Sequence, residues 1–359
     1  MEKPTVSIKD VEWSADSVAE PQTEDAVANT VKTARAANVP FLATGGRHGY
    51  GSTLGSPQNG LAIDLSQLKC LDIDKMASTV TIAVGSCMDV GMVGTTLGGG
   101  VGLFQGLFGL IIDSLLSVRL VTADGGIVEA STSSNSDLFW AIRRAGANLG
   151  IVTSASYKLH KAVNDGQVMT ADMVFPANMK SAYFDALQSI QDKMPPELAI
   201  NTTIAWDVAS GGVAAPSRKA AKFFRDIFTA NVRKLDAATF SSAFEKFDAF
   251  YRAHPDARPS VGLFESFSNH AVAAVSSDAT AYPWRDAKAN LIFQMSWPDL
   301  GNPVEHAANS FARELRSGFA ATSGYPDLAV YVSYAKGDEN LEQICGKDKL
   351  PRLVALKKQ

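Results

Sequence analysis

The sequence predicts an α+β protein of two domains, and three observations support this prediction. The chain has 359 residues, a length that suggests two domains rather than one. Glycine is dense in the first part of the chain, with nine glycines between residues 85 and 109. Beyond about residue 160 glycine becomes less frequent, and helical and strand-like patterns alternate. This change of pattern predicts the domain boundary near residue 160.

The elements of the N-terminal part are predicted from capping residues and short apolar runs. Thr23 can cap a helix whose first turn carries acidic residues and in which Val27, Val31 and Ala34 recur on one face. Residues 124–126, Asp-Gly-Gly, are a strong signal for a hairpin turn. The predicted elements are strands at 41–44, 61–65, 80–84, 118–122, 127–130 and 151–159 and a helix at 137–145, with no regular element at 85–109.

Longer elements are predicted in the C-terminal part, and together they indicate an α+β substrate domain. Helices are expected at 177–193, 217–233, 236–253 and 303–319. Strands are expected at 166–174, 200–207, 262–267, 291–297 and 328–334.

Composition and charge exclude several classes of function. The formal net charge is -4 and no run of basic residues stands out, so neither a nucleic acid nor an anionic membrane is an expected partner. Three cysteines are too few for a disulfide framework or a structural zinc site, and no metal site is predicted. No apolar run reaches 18 residues, and MEKPTVSIKDVEW lacks the apolar core of a signal peptide. We therefore expect a cytoplasmic protein.

Two glycine-rich loops, residues 45–51 and 85–109, each follow a short predicted strand. Glycine allows positive φ angles and close backbone approach, and consecutive backbone N–H groups can bind the pyrophosphate of a dinucleotide. The alternative is that these glycines only form tight turns. Residues 98–102 do not form a Rossmann fingerprint, because no clear strand enters them, and no P-loop motif is present.

His48 lies in the first of these loops and Cys87 opens the second. Considered alone, each has a plain structural explanation. A single histidine is usually a surface or satisfied core residue, and a single cysteine is usually a small buried hydrophobe.

Motifs along nearly the whole chain carry a resemblance to a known family. They include FLATGGRHGYGSTLG (41–55), NGLAIDLSQL (59–68), the segment 85–131, DLFWAIRRAGANLGIVTS (137–154), TAYPWRD (280–286), YVSYAKGDE (331–339) and GKDKLPRLVALKK (346–358). With these motifs the sequence resembles the berberine-bridge-enzyme-like FAD-linked oxidases of the vanillyl-alcohol-oxidase superfamily, and most of all the fungal members. The resemblance implies a PCMH-type FAD-binding domain of two small α/β subdomains at 1–160. It further implies an antiparallel-sheet substrate domain covered by helices at 161–327, and a segment at 328–359 that returns to the FAD domain.

The resemblance also implies how FAD would be bound. His48 matches the histidine that bonds the flavin 8α-methyl group, and Cys87 matches the cysteine that bonds flavin C6. Val90 matches the position that controls access of O2 and is of the oxidase type. The other matching cofactor positions are Thr44, Gly45, Gly46, Arg47, Gly49, Gly91, Gly94, Leu97, Gly98, Gly99, Gly150, Ile151 and Val152.

For catalysis the resemblance points to tyrosines. Tyr50 matches an active-site tyrosine, and one of Tyr331 and Tyr334 matches the catalytic tyrosine of alcohol-oxidising relatives; aromatic packing is an equally good explanation of all three. Glu265 is a second candidate base. The implied activity is an FAD-dependent oxidase that transfers hydride from a small alcohol, sugar or secondary-metabolite intermediate to flavin N5 and is reoxidised by O2, yielding H2O2.

Four departures from the family pattern support an alternative. The strand at 80–84 runs directly into Gly85 without the usual crossover, which predicts a strand without its neighbour. The stretch 211–216 looks shortened, the chain stops at Gln359 before a usual C-terminal segment, and Arg47 and Ser333 replace the usual Gly and Asn. The alternative function is a shortened, non-catalytic relative that binds FAD weakly and acts at most as a small-molecule-binding protein.

Overall fold

The structure is a computed structural model that describes residues 15–45, 60–85, 91–207, 211–214, 226–299 and 301–358. Within these residues the strands form three sheets, of three, five and five strands. The first two sheets are built from residues 15–158 and the third from residues 199–295. This mixed architecture confirms the predicted α+β class.

A small parallel sheet begins the described chain. Its strands β1 (Ala15–Ala19), β2 (Phe41–Thr44) and β3 (Gly60–Asp64) lie in the order β1-β3-β2. Helix α1 (Glu24–Ala36) starts as predicted, because the Thr23 side chain accepts a hydrogen bond from the Ala26 N–H at 3.2 Å. Its predicted apolar face is buried and packs against β3 and the second sheet.

The second sheet is antiparallel and has the order β4-β5-β8-β6-β7. Its strands are β4 (Leu71–Asp74), β5 (Thr79–Ala83), β6 (Leu115–Val121), β7 (Ile127–Ser131) and β8 (Ile151–Lys158). Strands β6 and β7 form the predicted hairpin. Helices α2 (Met92–Gly98) and α4 (Ser136–Ala145) share an apolar core with this sheet.

Strand β5 corrects the expectation of a strand without its neighbour. It pairs with β4 on one side and with β8 on the other, both antiparallel. Its backbone groups therefore have partners although the chain passes directly from β5 to Gly85. The absence of the crossover does not leave an open sheet edge at this strand.

The third sheet is antiparallel, with the order β10-β9-β12-β13-β11. Its strands are β9 (Ala199–Asp207), β10 (Gly212–Ala214), β11 (Asp226–Val232), β12 (Val261–Phe267) and β13 (Ala289–Met295). Helices α5 (Lys180–Ile190), α6 (Ala237–Ala253) and α8 (Val304–Thr322) cover one face. Phe240, Phe264 and Phe319 are in mutual ring contact at the centre of this core.

Four sequence predictions of secondary structure are wrong. The helix predicted at 217–233 is contradicted at 226–232, where buried β-branched and aromatic residues pair with β13 as strand β11. Residues 167–176 and 328–331 form no regular strand, and 332–334 form a 3₁₀ turn. The segment 85–109 contains two helices, α2 and α3 (Gln105–Phe108), and α2 forms despite its glycines because Val93 and Leu97, one turn apart, pack into the core of the second sheet.

The last described segment packs on the second sheet's helix α4. Helices α9 (Leu341–Cys345) and α10 (Leu350–Lys357) follow the short α7 (His270–Ala274) and α8 in the chain. Cys345 and Leu353 join Trp140 in one apolar cluster, and the Arg352 guanidinium lies 4.0 Å from the centre of the Trp140 ring. Among the described helices, none has the length and apolar character to span a membrane.

Candidate functional site

Seven of the predicted site residues lie outside the described part of the chain. They are Gly46, Arg47, His48, Gly49, Tyr50, Cys87 and Val90. Their predicted roles remain predictions.

The described start of the first glycine loop has features that suit a bound cofactor. Thr44 ends β2 and is only 6% exposed, yet no described residue forms a hydrogen bond with its Oγ1. A Cβ atom added at Gly45 would meet no described heavy atom within 4 Å. A buried hydroxyl without a partner usually has a specific reason, and an absent ligand is one such reason.

The start of β8 lies on the sheet that packs against this first subdomain. Ile151 and Val152 are buried and pair with Val121 and Leu120 of β6. Ile151 belongs to the same apolar cluster as Ala43 of β2. Gly150 precedes them where a Cβ atom would lie 2.7 Å from the Val121 carbonyl oxygen, so the close strand approach itself requires glycine.

The second glycine loop has an open part and a crowded part. Gly91 is the N-cap of α2, and a Cβ at Gly94 would meet no described atom within 4 Å. Leu97 instead packs against Gly146, where a Cβ would lie 2.5 Å from the leucine Cδ2. With respect to the described residues, the backbone near Gly94 is therefore the part of α2 with space for a ligand.

In the crowded part, Gly98 and Gly99 meet the protein's own C-terminal half. A Cβ at Gly98 would clash with Ser333 Oγ, and a Cβ at Gly99 would lie 2.7 Å from the Tyr282 ring. Gly99 also has a φ of +133°, which disfavours other residues. These contacts explain the two glycines without a cofactor, and their predicted contact with FAD stays a prediction.

Tyr331 joins this glycine loop to the C-terminal segment. Its side chain is buried, and its hydroxyl accepts hydrogen bonds from the Gly100 N–H at 3.1 Å and the Val101 N–H at 3.4 Å. Burial raises the pKa of Tyr331, although the two N–H donors act in the opposite direction. Two predicted features, the glycine loop and the YVSY motif, are therefore in contact.

Tyr334 connects the same segment to a buried carboxyl group of the third sheet. Its hydroxyl donates to Glu265 Oε1 at 3.3 Å, and its ring packs edge-on against that of Tyr331 at 5.0 Å between ring centres. Burial raises the pKa of Glu265 to about 7, and the hydrogen bond from Tyr334 partly opposes this rise. No described residue forms a hydrogen bond with Glu265 Oε2. This arrangement places a carboxyl group with a pKa of about 7 beside two tyrosine side chains.

A buried ion pair that the sequence reasoning missed supports the same loop. Arg285 binds Asp113 through two hydrogen bonds, at 2.7 and 3.1 Å, with both side chains almost fully buried. Asp113 Oδ2 also accepts from the Leu110 N–H at 2.9 Å. Arg285 lies in the motif at 280–286, which carries the family resemblance, but a contiguous motif does not show which distant residue pairs with a buried arginine.

The described residues contain no group of three or more His, Cys, Asp and Glu side chains that could bind a metal ion. The groups described near the second glycine loop are tyrosine hydroxyls, the Glu265 carboxyl group, backbone N–H donors and the Arg285–Asp113 ion pair.

Comparison with known proteins gives matches along most of the chain. Residues 15–89 match the family model described as an FAD binding domain. The chain is 40% identical to the FAD-linked oxidoreductase srdI of Neurospora crassa over 407 residues, covering 94% of this chain and 81% of that protein. It is also 40% identical to the FAD-linked oxidoreductase OXR1 of Pyricularia oryzae, covering 94% and 80%. The first alignment is longer than this chain, so the relative has internal segments that this chain lacks.

Solved structures share the fold. Glucooligosaccharide oxidase from Acremonium strictum, described with a 6-S-cysteinyl, 8α-N1-histidyl FAD, superposes with a TM-score of 0.77 at 20% identity, covering 96% of this chain and 89% of that one. Physcomitrella patens BBE-like 1 superposes with a TM-score of 0.77 at 19% identity, covering 95% and 87%. At these identities the likeness shows the fold, which is the predicted PCMH-type architecture.

Proposed function

This chain belongs to the FAD-linked oxidoreductases, and from this premise we propose that it is an oxidase that removes hydride from a small organic substrate and uses O2 as the electron acceptor. It is an enzyme and FAD is its cofactor. An alcohol, a sugar or an intermediate of secondary metabolism is the proposed substrate. Residues 1–160 form the proposed FAD domain, 161–327 the substrate domain, and 328–359 the segment that returns to the FAD domain.

The observation that carries the proposal is the Tyr334–Glu265 pair beside the glycine loop. In an alcohol oxidation a proton must leave the hydroxyl as hydride leaves carbon, so a base with a pKa near the working pH is needed. Glu265 has a pKa of about 7 and already accepts a hydrogen bond from Tyr334. We assign Glu265 as the base, acting on the substrate directly or through the Tyr334 hydroxyl.

Tyr331 has a positioning role in this proposal. Its pKa is raised by burial, so it is a poor base near neutral pH. Its hydroxyl bonds to Gly100 and Val101, and its ring supports that of Tyr334. It therefore fixes the distance between the second glycine loop and the proposed base. Tyr50, outside the described residues, remains a proposed active-site tyrosine.

The described residues of the proposed cofactor site fit FAD. Thr44 presents a buried hydroxyl with no hydrogen-bond partner in the described chain, and Gly45 and Gly94 leave backbone open to a ligand. When bound, FAD supplies the hydride acceptor and the route for electrons to O2. The proposed FAD contacts are Thr44, Gly45, Gly46, Arg47, Gly49, Val90, Gly91, Gly94, Leu97, Gly98, Gly99, Gly150, Ile151 and Val152.

Covalent attachment through His48 and Cys87 is part of the proposal. It is supported by the motif match at both residues and by the histidyl and cysteinyl FAD of glucooligosaccharide oxidase. The test is to precipitate the purified protein with acid and measure flavin absorbance in the pellet. We expect the native pellet to be yellow and the pellet of the His48→Ala, Cys87→Ala double variant to be colourless. Flavin retained by the denatured double variant would contradict this assignment.

The alternative of a non-catalytic relative is not favoured. The chain retains 40% identity to FAD-linked oxidoreductases over most of its length, and β5 is paired on both edges. The oxidase proposal is tested by oxygen uptake and H2O2 release with a panel of alcohols, sugars and aromatic metabolites. Flavin reduction without oxygen uptake would contradict O2 as the electron acceptor. A colourless protein that cannot be reconstituted with FAD would support the alternative of a non-catalytic relative.

A further inference from the structure

A row of polar side chains crosses the third sheet next to the proposed base. In the strand registers Glu265 of β12 is directly opposite Asn290 of β13, and Asn290 is directly opposite Asn231 of β11. Residues directly opposite each other in an antiparallel sheet point to the same face. We call Glu265, Asn290 and Asn231 the polar row.

The polar row lies on the face away from the aromatic core. Its strand neighbours Phe264 and Leu291 point the other way and belong to the core that α6 and α8 cover. On the polar face, Thr229 lies two residues before Asn231 and donates a hydrogen bond to the Tyr334 backbone carbonyl at 3.2 Å. The polar row therefore faces the segment that carries Tyr331 and Tyr334.

The row is buried but has unused hydrogen-bonding capacity. Asn231 and Asn290 are 1% and 6% exposed. Within the described chain, neither Asn231 Oδ1 nor its Nδ2 has a hydrogen-bond partner, and the same is true of Asn290 Oδ1 and Glu265 Oε2. Buried amides and carboxyl oxygens are normally satisfied, and leaving one unsatisfied lowers stability. Three neighbouring residues with this property on one face indicate that another molecule completes their bonding.

We propose that the polar row binds the substrate and selects a class with at least two polar groups. In this proposal, which rests on the proposed oxidase function, the oxidised group lies at Glu265 and a second hydroxyl or carbonyl lies at Asn290. Neighbouring strands are about 4.8 Å apart, so the second group is separated from the first by about that distance. Asn231, one strand farther, contacts the distal end of a longer substrate.

The test compares two probes that differ by one hydroxyl, cyclohexylmethanol and cis-3-(hydroxymethyl)cyclohexanol, whose ring hydroxyl lies about one strand spacing from the carbon to be oxidised. Binding is measured by calorimetry under argon on enzyme whose flavin has been reduced, so that no turnover occurs and failure of the oxidase proposal is detected separately by oxygen uptake. We expect the diol to bind about tenfold more tightly than the mono-alcohol, the amount one good hydrogen bond can contribute. We expect Asn290→Leu to lower the affinity for the diol about tenfold and so to remove this preference.

The matched control is Asn309→Leu. Asn309 lies on α8, and its Oδ1 also has no hydrogen-bond partner in the described chain, but α8 covers the opposite face of the sheet. This variant should keep the preference for the diol. Equal affinity of the native enzyme for the two probes, or a preference that survives Asn290→Leu, would overturn the proposal.

A second measurement separates ligand binding from a structural role of the asparagine. If Asn290 is reserved for substrate, Asn290→Leu should leave the urea midpoint of ligand-free protein unchanged or raise it, since an unsatisfied amide is replaced by an apolar group of similar size. A lowered midpoint would show that the amide stabilises the fold, and the proposal would fail.

Discussion

The second sheet (β4–β8) and the third sheet (β9–β13) have the same number of strands, but their faces differ in what they contact. In the β4–β8 sheet, one face packs on α2 and α4, and the side chains of Ala83, Val121 and Ile151 on the other face pack against the first subdomain. In the β9–β13 sheet, one face carries the aromatic core, whereas the other carries the polar row. Both sheets have five antiparallel strands, so neither strand number nor strand direction distinguishes them.

The comparison indicates where each sheet contributes to function. A sheet with apolar contacts on both faces is a rigid support, and the predicted cofactor residues of the β4–β8 sheet are at the end of a strand or in its loops. A buried sheet face with unsatisfied polar groups lowers the free energy of unfolding. Such a face is retained where it binds a ligand. The predictions below test this division of roles, beginning with the largest expected effect.

Glu265→Gln should cause the largest loss of activity. The amide keeps the size of the side chain and an acceptor for Tyr334 but cannot remove a proton. We expect kcat/KM to fall by about 10²- to 10⁴-fold, the usual contribution of a general base. The measurement is the rate of anaerobic flavin reduction with any substrate that the oxygen-uptake panel identifies.

The matched control is Glu342→Gln, the same chemical change at an exposed position of α9, which should leave kcat/KM unchanged. In the native enzyme kcat/KM should rise with pH about a midpoint near 7, since Glu265 must be ionised to act as a base. Native activity in Glu265→Gln would assign the base to another residue and remove the catalytic role of the polar face.

The same carboxyl group should make the stability of the protein depend on pH. Glu265 has a pKa of about 7 when folded and an ordinary value of 4.5, so between these pH values the folded state holds a proton that the unfolded state has lost. The free energy of unfolding should therefore fall as pH rises from about 4.5 to 7 and stay lower above it. The cost at pH 8 is about 3 kcal/mol at most.

Urea unfolding of the native protein and Glu265→Gln at pH 4.5 and pH 8 measures this cost. The glutamine variant should be the more stable protein at pH 8, and the two should converge at pH 4.5. If the two proteins differ in free energy of unfolding by the same amount at both pH values, burial does not raise the pKa of Glu265.

Gly99→Ala should destabilise the contact between the two halves. The new methyl group would lie 2.7 Å from the Tyr282 ring, and the residue would keep a φ of +133°. A strained backbone of this kind costs on the order of 1–3 kcal/mol. Gly318→Ala, at an exposed position of α8 where no described atom lies within 4 Å of the added Cβ, should instead stabilise the protein by about 0.5–1 kcal/mol. Equal urea midpoints for the two variants would contradict the tight packing of this loop.

Thr44→Val should have the smallest effect on stability. The valine replaces a hydroxyl for which no described residue is a partner, so the free energy of unfolding without flavin should change by less than about 1 kcal/mol. We expect weaker flavin retention, measured as the FAD remaining after dialysis of a His48→Ala, Cys87→Ala background. Thr81→Val, which loses a 2.7 Å hydrogen bond to Ser156, should show the reverse: reduced stability and unchanged retention.

Local signals predicted much of the N-terminal half. Thr23 begins α1 because its hydroxyl can satisfy a free N–H in the first turn, and residues 124–126 turn the β6–β7 hairpin because glycine allows the required backbone angles. These are interactions between residues near in sequence. The helix predicted over the residues of β11 is wrong because pairing with β13, about 60 residues later, makes them a strand, and this long-range pairing is not visible in the local sequence.

By itself, the amino-acid sequence determined the family, the cofactor and the two loops in which FAD is expected, because motifs of this kind are short and contiguous. The tertiary structure alone decided that Tyr331 meets Gly100, 231 residues earlier, and that Tyr334 meets Glu265. It also decided that Asn231, Asn290 and Glu265 form one row, because strand register and the choice of buried face depend on the whole sheet. The proposed specificity of the enzyme depends on those long-range contacts.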